Sequence, residues 1–229
     1  MATDAPVKIA VDDANRVSGL LTVPERPSAC LVLAHGAGAG MRHPFLTAVS
    51  SDLAEHGIAT LRYQFPYAER GSRRPDPPDV CHATVRAAVA TAAALVPTLS
   101  LFAGGKSFGG RMTSQAQASE ALPAVRGLAF LGFPLHPPGK PSQSRAEHLD
   151  RVRIPMLFLQ GTRDEFAEQD LLTPLVVRLS DRAQLRLFPD ADHSFHVPAR
   201  SGRTDADTRR ELARALADWA TALLARRPG

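Results

Sequence analysis

Hydrophobic and polar residues alternate along the chain in blocks of two kinds. Short runs of β-branched and other apolar residues predict strands, and longer runs with apolar residues three or four positions apart predict helices. Strand-like patterns cover residues 7–11, 16–23, 29–35, 58–63, 99–104, 125–133, 155–160 and 184–188. Helical patterns cover residues 43–56, 80–96, 109–121, 145–150, 170–179 and 204–225. The four prolines between residues 64 and 79 predict an irregular loop there.

The order of these elements predicts an α/β fold. The first two strands flank a polar turn at residues 12–15, which is typical of an antiparallel hairpin. From the third strand onward strands and helices alternate, and residues 29–35 (ACLVLAH) have the continuous apolar character of a strand covered on both faces. We therefore expect a mostly parallel eight-stranded sheet between two layers of helices, with functional loops at the carboxyl ends of its strands. The length of 229 residues fits one domain, residues 1–229.

Composition disfavours several classes of partner. The 27 lysines and arginines exceed the 23 acids by only four, and the 24 arginines are spread along the whole chain. Nucleic-acid binders usually concentrate their positive charge on one face or arm, so no nucleic-acid partner is expected. The longest apolar stretch, residues 87–96, is half the roughly 20 residues that cross a bilayer, so no membrane partner is expected either.

Other features of the chain indicate a cytoplasmic protein without a cofactor. Residues 1–13 carry acids and lack the basic start and apolar core of a signal peptide. Cys30 and Cys81 lack the spacing of a metal site and are expected to be buried core residues. No cofactor and no metal ion is therefore expected.

The sharpest local signal is the sequence Gly-Lys-Ser-Phe-Gly at residues 105–109, between a predicted strand and a predicted helix. A strand that turns abruptly into a helix crowds the positions two before and two after the turn residue, so glycine is required at both. Ser107 would then project its hydroxyl outward as a nucleophile. A phosphate-binding G-x-x-x-x-G-K-[ST] loop is disfavoured, because its first glycine position holds Ser100.

A serine hydroxyl needs a base, and the base needs an acid to orient it. In folds with this kind of turn, the acid follows a later strand and the histidine precedes the last helix. The strand at 155–160 is followed by Asp164, and the strand at 184–188 is followed by His193. We therefore predict Ser107, His193 and Asp164 as a catalytic triad.

Residues near the predicted acid and base offer the same chemistry. Glu165 is the alternative acid, interpreted as a solvated loop charge. His196 competes with His193 as the base, but the position in the loop favours His193. Asp190 and Asp192 are expected to cap the turn that carries the histidine.

Acyl transfer also requires hydrogen-bond donors for a developing oxyanion. One is the backbone N–H that follows the nucleophile, that of Phe108, and the other is expected from the loop 35–40 (HGAGAG), where Ala37 is the best placed. A dinucleotide site in this loop is disfavoured, because the G-x-x-G spacing is missing. Lys106 is expected to pair with a carboxylate and to brace neighbouring loops, since a cation beside His193 would lower its basicity.

This arrangement resembles the α/β-hydrolase superfamily in the His35-Gly36 pair, the turn at Ser107, and the positions of Asp164 and His193. The chain looks like the small lidless, dienelactone-hydrolase-like branch, and like the group related to the hydrolase-like domain of a chromatin NSL-complex subunit. Residues 35–38 (HGAG), 65–71 (FPYAERG) and 104–111 (GGKSFGGR) carry the closer resemblance. True dienelactone hydrolases resemble it in size but have a cysteine nucleophile where this chain has Ser107.

The resemblance implies an α/β-hydrolase fold without a cap domain, because only about twenty residues separate the strands at 125–133 and 155–160. Loops around the site contribute apolar residues that we expect either to line a substrate pocket or to anchor their own loops. These are Phe65, Tyr67, Phe133, Leu135 and Phe195.

The expected function is hydrolysis of small ester or thioester substrates by a serine hydrolase through an acyl-enzyme. The alternative is a binding or scaffold protein that retains the fold without turnover. The oligomeric state does not follow from the sequence.

Overall fold

The computed structural model describes residues 3–225. Its strands are β1 (Asp4–Ala10), β2 (Arg16–Thr22), β3 (Ala29–Ala34), β4 (Ile58–Tyr63), β5 (Ser100–Lys106), β6 (Val125–Leu131), β7 (Met156–Gly161) and β8 (Ala183–Phe188). Its α-helices are α1 (Pro44–Glu55), α2 (Pro66–Glu69), α3 (Pro78–Leu95), α4 (Phe108–Ser119), α5 (Gln169–Arg178) and α6 (Asp205–Ala225). Short 3-10 helices cover Ser144–Arg151, Ser180–Arg182 and Ala199–Ser201.

The eight strands of residues 3–225 form one sheet in the order β1-β2-β4-β3-β5-β6-β7-β8. β2 is antiparallel to both of its neighbours, β1 and β4, and every other neighbouring pair is parallel. This confirms the predicted α/β-hydrolase fold, with its opening antiparallel hairpin and mostly parallel sheet. The described residues contain no separate cap domain, and none of their helices is long and apolar enough to cross a bilayer.

Two hydrophobic cores cover the two faces of the sheet. Successive side chains of a strand point to opposite faces, so in β3 Cys30 and Val32 pack in the core that includes α3 and α4. Leu31 and Leu33 pack in the core that includes α1 and α6. Burial on both faces explains the continuous apolar sequence of this strand. Cys81 of α3 is also buried, which confirms the expectation for both cysteines.

The segment 64–79 is more regular than its proline content predicts. It contains α2, which begins at Pro66, and the start of α3 at Pro78. Proline fits the first turn of a helix because its fixed φ is helical and the N–H that it lacks has no partner there. Two of the four prolines, Pro66 and Pro78, therefore begin helices, and the other two lie in the segment between these helices.

Parallel strands bring distant parts of the sequence to one edge of the sheet. Ser107 follows β5, Asp164 follows β7, and His193 lies in the loop after β8. Because these strands run parallel, their carboxyl ends and the three side chains share one edge.

Candidate active site

Ser107 lies in a strained turn between β5 and α4. Its φ of 50° and ψ of −115° place a non-glycine residue in a rarely populated backbone region. A Cβ at Gly105 would lie 2.5 Å from the Ala34 carbonyl oxygen, and one at Gly109 would lie 2.5 Å from the His35 carbonyl oxygen. Glycine is therefore required at both positions because β3 and its following loop pack against the turn.

The three residues of the predicted triad lie within hydrogen-bond distance of one another. Ser107 Oγ is 2.9 Å from His193 Nε2, and His193 Nδ1 is 2.7 Å from Asp164 Oδ2. The Asp164 side chain is 1% exposed and that of His193 is 18% exposed. An imidazole with a carboxylate on one nitrogen and a hydroxyl on the other can accept the hydroxyl proton.

The Asp164 carboxylate is held by two donors besides His193. Gln160 Nε2 donates to Asp164 Oδ2 at 2.5 Å, and the backbone N–H of Phe166 donates to Oδ1 at 2.9 Å. Gln160 is fully buried, and its Oε1 accepts the backbone N–H of Phe133 at 2.9 Å. Sequence reasoning missed Gln160, although an amide that ends an otherwise apolar strand (MLFLQG) is a recognisable signal.

The His193 loop is fixed from two sides. Lys106 Nζ donates to the His193 carbonyl oxygen at 2.6 Å, and the Phe166 ring stacks on the imidazole at 4.2 Å between centroids. Asp192 Oδ1 accepts the backbone N–H groups of Ser194 and His196, which confirms its predicted capping role. Lys106 therefore braces the loop as expected, but the prediction of a carboxylate partner is wrong: it binds a backbone carbonyl.

Burial is the main influence on the charge of the imidazole. Desolvation lowers the pKa of His193, the hydrogen bond that its Nδ1–H donates to Asp164 opposes that effect, and the Lys106 cation lowers the pKa further. Burial also lowers the pKa of Lys106 to about 8. At neutral pH His193 is therefore neutral and able to accept a proton.

The competing residues lie away from Ser107. Glu165 is exposed, and the His196 ring binds the Asp205 carboxylate at 2.9 Å on the surface. Asp190 adopts a left-handed φ of 59°, and its backbone N–H donates to Thr162 Oγ1. Within residues 3–225, no group of three or more histidine, cysteine, aspartate or glutamate side chains is placed to hold a metal ion.

The two predicted oxyanion donors lie beside Ser107. Ala37 and Phe108 line the same cavity as the nucleophile. Neither backbone N–H donates to an acceptor within residues 3–225. An oxyanion site requires N–H groups that no protein acceptor occupies, and these two meet that condition.

His35 supports the loop that carries Ala37. Its buried ring accepts the backbone N–H of Phe65 at Nε2, so the proton lies on Nδ1 and is donated to the Gly36 carbonyl oxygen at 2.8 Å. Burial lowers the pKa of His35 to about 4, which keeps the ring neutral. Sequence reasoning identified His35 by position only and missed this tie to the Phe65 backbone.

The predicted pocket residues do not line the cavities at Ser107. Phe65, Tyr67, Phe133 and Leu135 are all fully buried in the core on the α3 and α4 side, and Phe195 is 2% exposed. The interpretation as pocket residues needs correction, and the alternative that they anchor their own loops holds. Their large apolar side chains gain more from packing under the loops than from facing solvent.

Two clefts are lined by Ser107, and Ala37 and Phe166 also line both of them. The first, here the Phe45 cleft, has a volume of about 310 Å³, and its lining includes His43, Phe45, Leu46, Lys106, His193 and Ser194. The second, here the Arg111 cleft, has a volume of about 480 Å³ and is lined by Pro75, Phe108, Arg111, Met112, Pro134 and Arg145. A larger hollow of about 680 Å³ between β8 and α6 is remote from the triad.

Comparisons with known proteins show the family and the fold of this chain. Residues 27–221 match a family described as an alpha/beta hydrolase domain. The chain is similar to a dienelactone hydrolase from Anabaena variabilis, with a TM-score of 0.75 and 18% identity over 96% of this chain and 98% of that one. It is also similar to an α/β serine hydrolase homologue from Coxiella burnetii, with a TM-score of 0.75 and 19% identity over 94% and 99%.

A third similar structure is that of a lidless α/β serine hydrolase from Xanthomonas campestris. It has a TM-score of 0.72 and 22% identity over 94% of each chain. At these identities the likeness shows a shared fold.

Proposed function

The chain belongs to the alpha/beta hydrolase domain family, and from that premise we propose that it is a serine hydrolase of small esters or thioesters. The observation that carries the proposal is the continuous hydrogen-bonded path from Ser107 through His193 to Asp164, with distances of 2.9 and 2.7 Å. This path supplies a nucleophile, a base and an orienting acid.

In the acylation step, Ser107 Oγ attacks the carbonyl carbon of the substrate while its proton passes to His193 Nε2. The negative charge that develops on the carbonyl oxygen is stabilised by the backbone N–H groups of Phe108 and Ala37. Asp164 accepts the Nδ1–H of His193 and stabilises the imidazolium. The carbon–oxygen or carbon–sulfur bond then breaks, and His193 gives its proton to the departing alcohol or thiol.

Deacylation repeats these steps with water as the nucleophile. His193 takes a proton from the water, whose oxygen attacks the acyl carbon. The bond to Ser107 Oγ breaks, and His193 returns the proton to the serine. The products are a carboxylic acid and the free enzyme, so no cofactor is required.

A fluorophosphonate probe tests this proposal, because it reacts with activated serines. We expect wild-type protein to gain one adduct at Ser107 by peptide mass spectrometry, and Ser107→Ala to gain none. His193→Ala should label far more slowly, whereas the matched variant His196→Ala, altered at the exposed histidine of the same loop, should label at the wild-type rate. Unlabelled wild-type protein, under conditions that modify a control esterase, would favour the binding or scaffold alternative.

Two finer expectations stay predictions. One is the choice between ester and thioester substrates, which a panel of matched esters and thioesters would decide. The other is the closer relationship to the group that includes the hydrolase-like domain of the NSL-complex subunit.

A further inference from the structure

The Arg111 cleft contains two arginines without a partner in the protein. Arg111 comes from the first turn of α4, and Arg145 comes from the 3-10 helix Ser144–Arg151. Within residues 3–225, neither guanidinium forms a salt bridge or a hydrogen bond, and the Nε of Arg111 is buried without an acceptor. A buried polar group without a partner costs free energy unless a ligand or water satisfies it.

The other partly or fully buried arginines in the described part of the chain are paired. The buried Arg62 binds the Asp4 carboxylate at 2.6 Å, and Arg209 binds Asp52 at 2.6 Å. Asp76 also lines the Arg111 cleft: its Oδ1 binds Arg70 at 2.5 Å and its Oδ2 is buried without a donor, but it forms no salt bridge with either cleft arginine. The two cleft arginines are therefore an exception at the place where a substrate would lie.

The surroundings fix Arg111 close to the nucleophile. Its guanidinium carbon lies 5.6 Å from the centre of the Phe108 ring, and Phe108 follows Ser107 directly. Arg145 is near enough that its charge, together with burial, lowers the pKa of Arg111. Two cations brought together at one cleft repel each other, and an anion between them would relieve that repulsion.

The position of His193 assigns the two clefts to the two parts of an ester. The leaving oxygen or sulfur must lie within reach of His193 Nε2 to receive its proton. His193 lines the Phe45 cleft and does not line the Arg111 cleft. The leaving group therefore belongs in the Phe45 cleft, and the acyl group extends into the Arg111 cleft.

We propose that Arg111 and Arg145 bind a carboxylate at the far end of the acyl group, so that the substrates are half-esters or half-thioesters of dicarboxylic acids. The proposal rests on the proposed function, since it extends the site of Ser107. Guanidinium groups bind carboxylates through charge-assisted hydrogen bonds of fixed geometry. An acyl chain with an apolar middle and an anionic end matches the Met112 and Pro134 walls and the two cations.

A pair of matched esters tests the charge preference. Mono-4-nitrophenyl adipate carries a terminal carboxylate, and 4-nitrophenyl 6-methylheptanoate carries an isopropyl group of similar shape in its place. We expect the wild-type kcat/KM to be about tenfold or more higher for the adipate ester, as for a charge-assisted hydrogen bond lost in the neutral analogue. The preference should fall at high salt, because the charges are partly exposed.

Variants assign the preference to the two arginines. Arg111→Gln and Arg145→Gln should each reduce the ratio of kcat/KM for the adipate ester to kcat/KM for the neutral ester several-fold. The matched variant Arg126→Gln, at an exposed arginine of β6, should keep the wild-type preference. If Arg111→Gln fails to fold, Arg145→Gln carries the test alone, because Arg145 lies in a surface helix.

A second pair of esters tests the assignment of the clefts. In 4-(hexanoyloxy)benzoate the carboxylate lies on the leaving group, and in its methyl ester that charge is removed. We expect no preference for this anion, because Lys106, the cation that lines the Phe45 cleft, already donates to the His193 carbonyl oxygen. Three results would overturn the proposal. The wild-type enzyme could prefer 4-(hexanoyloxy)benzoate to its methyl ester, or it could hydrolyse the adipate and methylheptanoate esters equally. Alternatively, Arg145→Gln could reduce kcat/KM for the adipate and methylheptanoate esters by the same factor. If the enzyme hydrolysed none of these esters and the fluorophosphonate probe did not label Ser107, the hydrolase function itself would be rejected.

Discussion

The two clefts beside Ser107 share the nucleophile, Ala37 and Phe166, and their other lining residues differ. The Phe45 cleft contains the proton-transfer residue His193 and the apolar side chains of Phe45 and Leu46, and its cation, Lys106, already donates to the His193 carbonyl oxygen. The Arg111 cleft is not lined by His193, but it contains two cations without partners among residues 3–225. The difference indicates that one nucleophile serves both clefts while each cleft recognises a different part of the substrate. The Phe45 cleft accepts an apolar leaving group, and the Arg111 cleft accepts the anionic end of the acyl group.

The largest loss of activity is expected on removal of Ser107 Oγ, because substrates in either cleft depend on this nucleophile. Ser107→Ala should reduce kcat by about 10⁴-fold or more for every ester, whichever cleft the substrate probes, because no other nucleophile replaces the hydroxyl. Initial rates with the adipate and methylheptanoate esters check this. Residual activity that differed strongly between the two esters would show that one cleft reacts without Ser107.

A smaller effect that is again equal for both clefts is expected at Gln160. Gln160→Leu removes the donor to Asp164 Oδ2 and the acceptor of the Phe133 N–H, so the acid is less well oriented. We expect kcat to fall about tenfold to a hundredfold with both esters, because small displacements of catalytic groups are costly. Gln184→Leu, at an exposed glutamine of β8, is the matched control and should retain wild-type kcat.

Phe45→Ala should change one cleft and spare the other. The Phe45 ring stacks on Phe195 at 5.7 Å, and its removal takes apolar surface from the leaving-group side. We expect kcat/KM for 1-naphthyl hexanoate to fall about tenfold relative to ethyl hexanoate, with the adipate preference unchanged. A variant that lost the adipate preference instead would contradict the division between the clefts.

The smallest effect is expected in the pH profile. His193 must be neutral to act as a base, so kcat/KM should rise with pH through an apparent pKa below the ordinary imidazole value of 6.5. Lys106→Met removes a cation that lowers the His193 pKa, so its profile should shift to higher pH and the rate at pH 6 should fall about threefold. Lys106→Arg should keep the wild-type midpoint. At higher pH, where His193 is neutral in both proteins, wild type and Lys106→Met should converge.

The sequence predicted those parts of the site that depend on local order. The turn at Ser107 requires glycines at fixed spacing, and the acid and base each follow a strand, so the positions of Asp164 and His193 could be inferred without tertiary structure. The alternation of apolar blocks predicted the sheet in the same way. The start of α2 was missed because Pro66 is compatible with both a loop and a first helical turn.

The walls of the clefts could not be predicted, because they depend on which way loop side chains turn. Phe65 and Tyr67 pack inward against His35, whereas Phe45 and Phe166 face the site. Nothing in the order of apolar residues distinguishes these two outcomes. Arg145 lies 38 residues from Ser107 in the sequence, so only the packed fold reveals that it shares a cleft with the nucleophile.

The central claim is that Ser107 forms an acyl-enzyme. The most direct test is a quenched-flow reaction with excess mono-4-nitrophenyl adipate, followed by peptide mass spectrometry of the quenched protein. We predict an adipoyl adduct on the peptide that contains Ser107, together with release of 4-nitrophenol at a rate no slower than adduct formation. Turnover without an adduct under conditions that trap it, or an adduct on any other residue, would contradict the account.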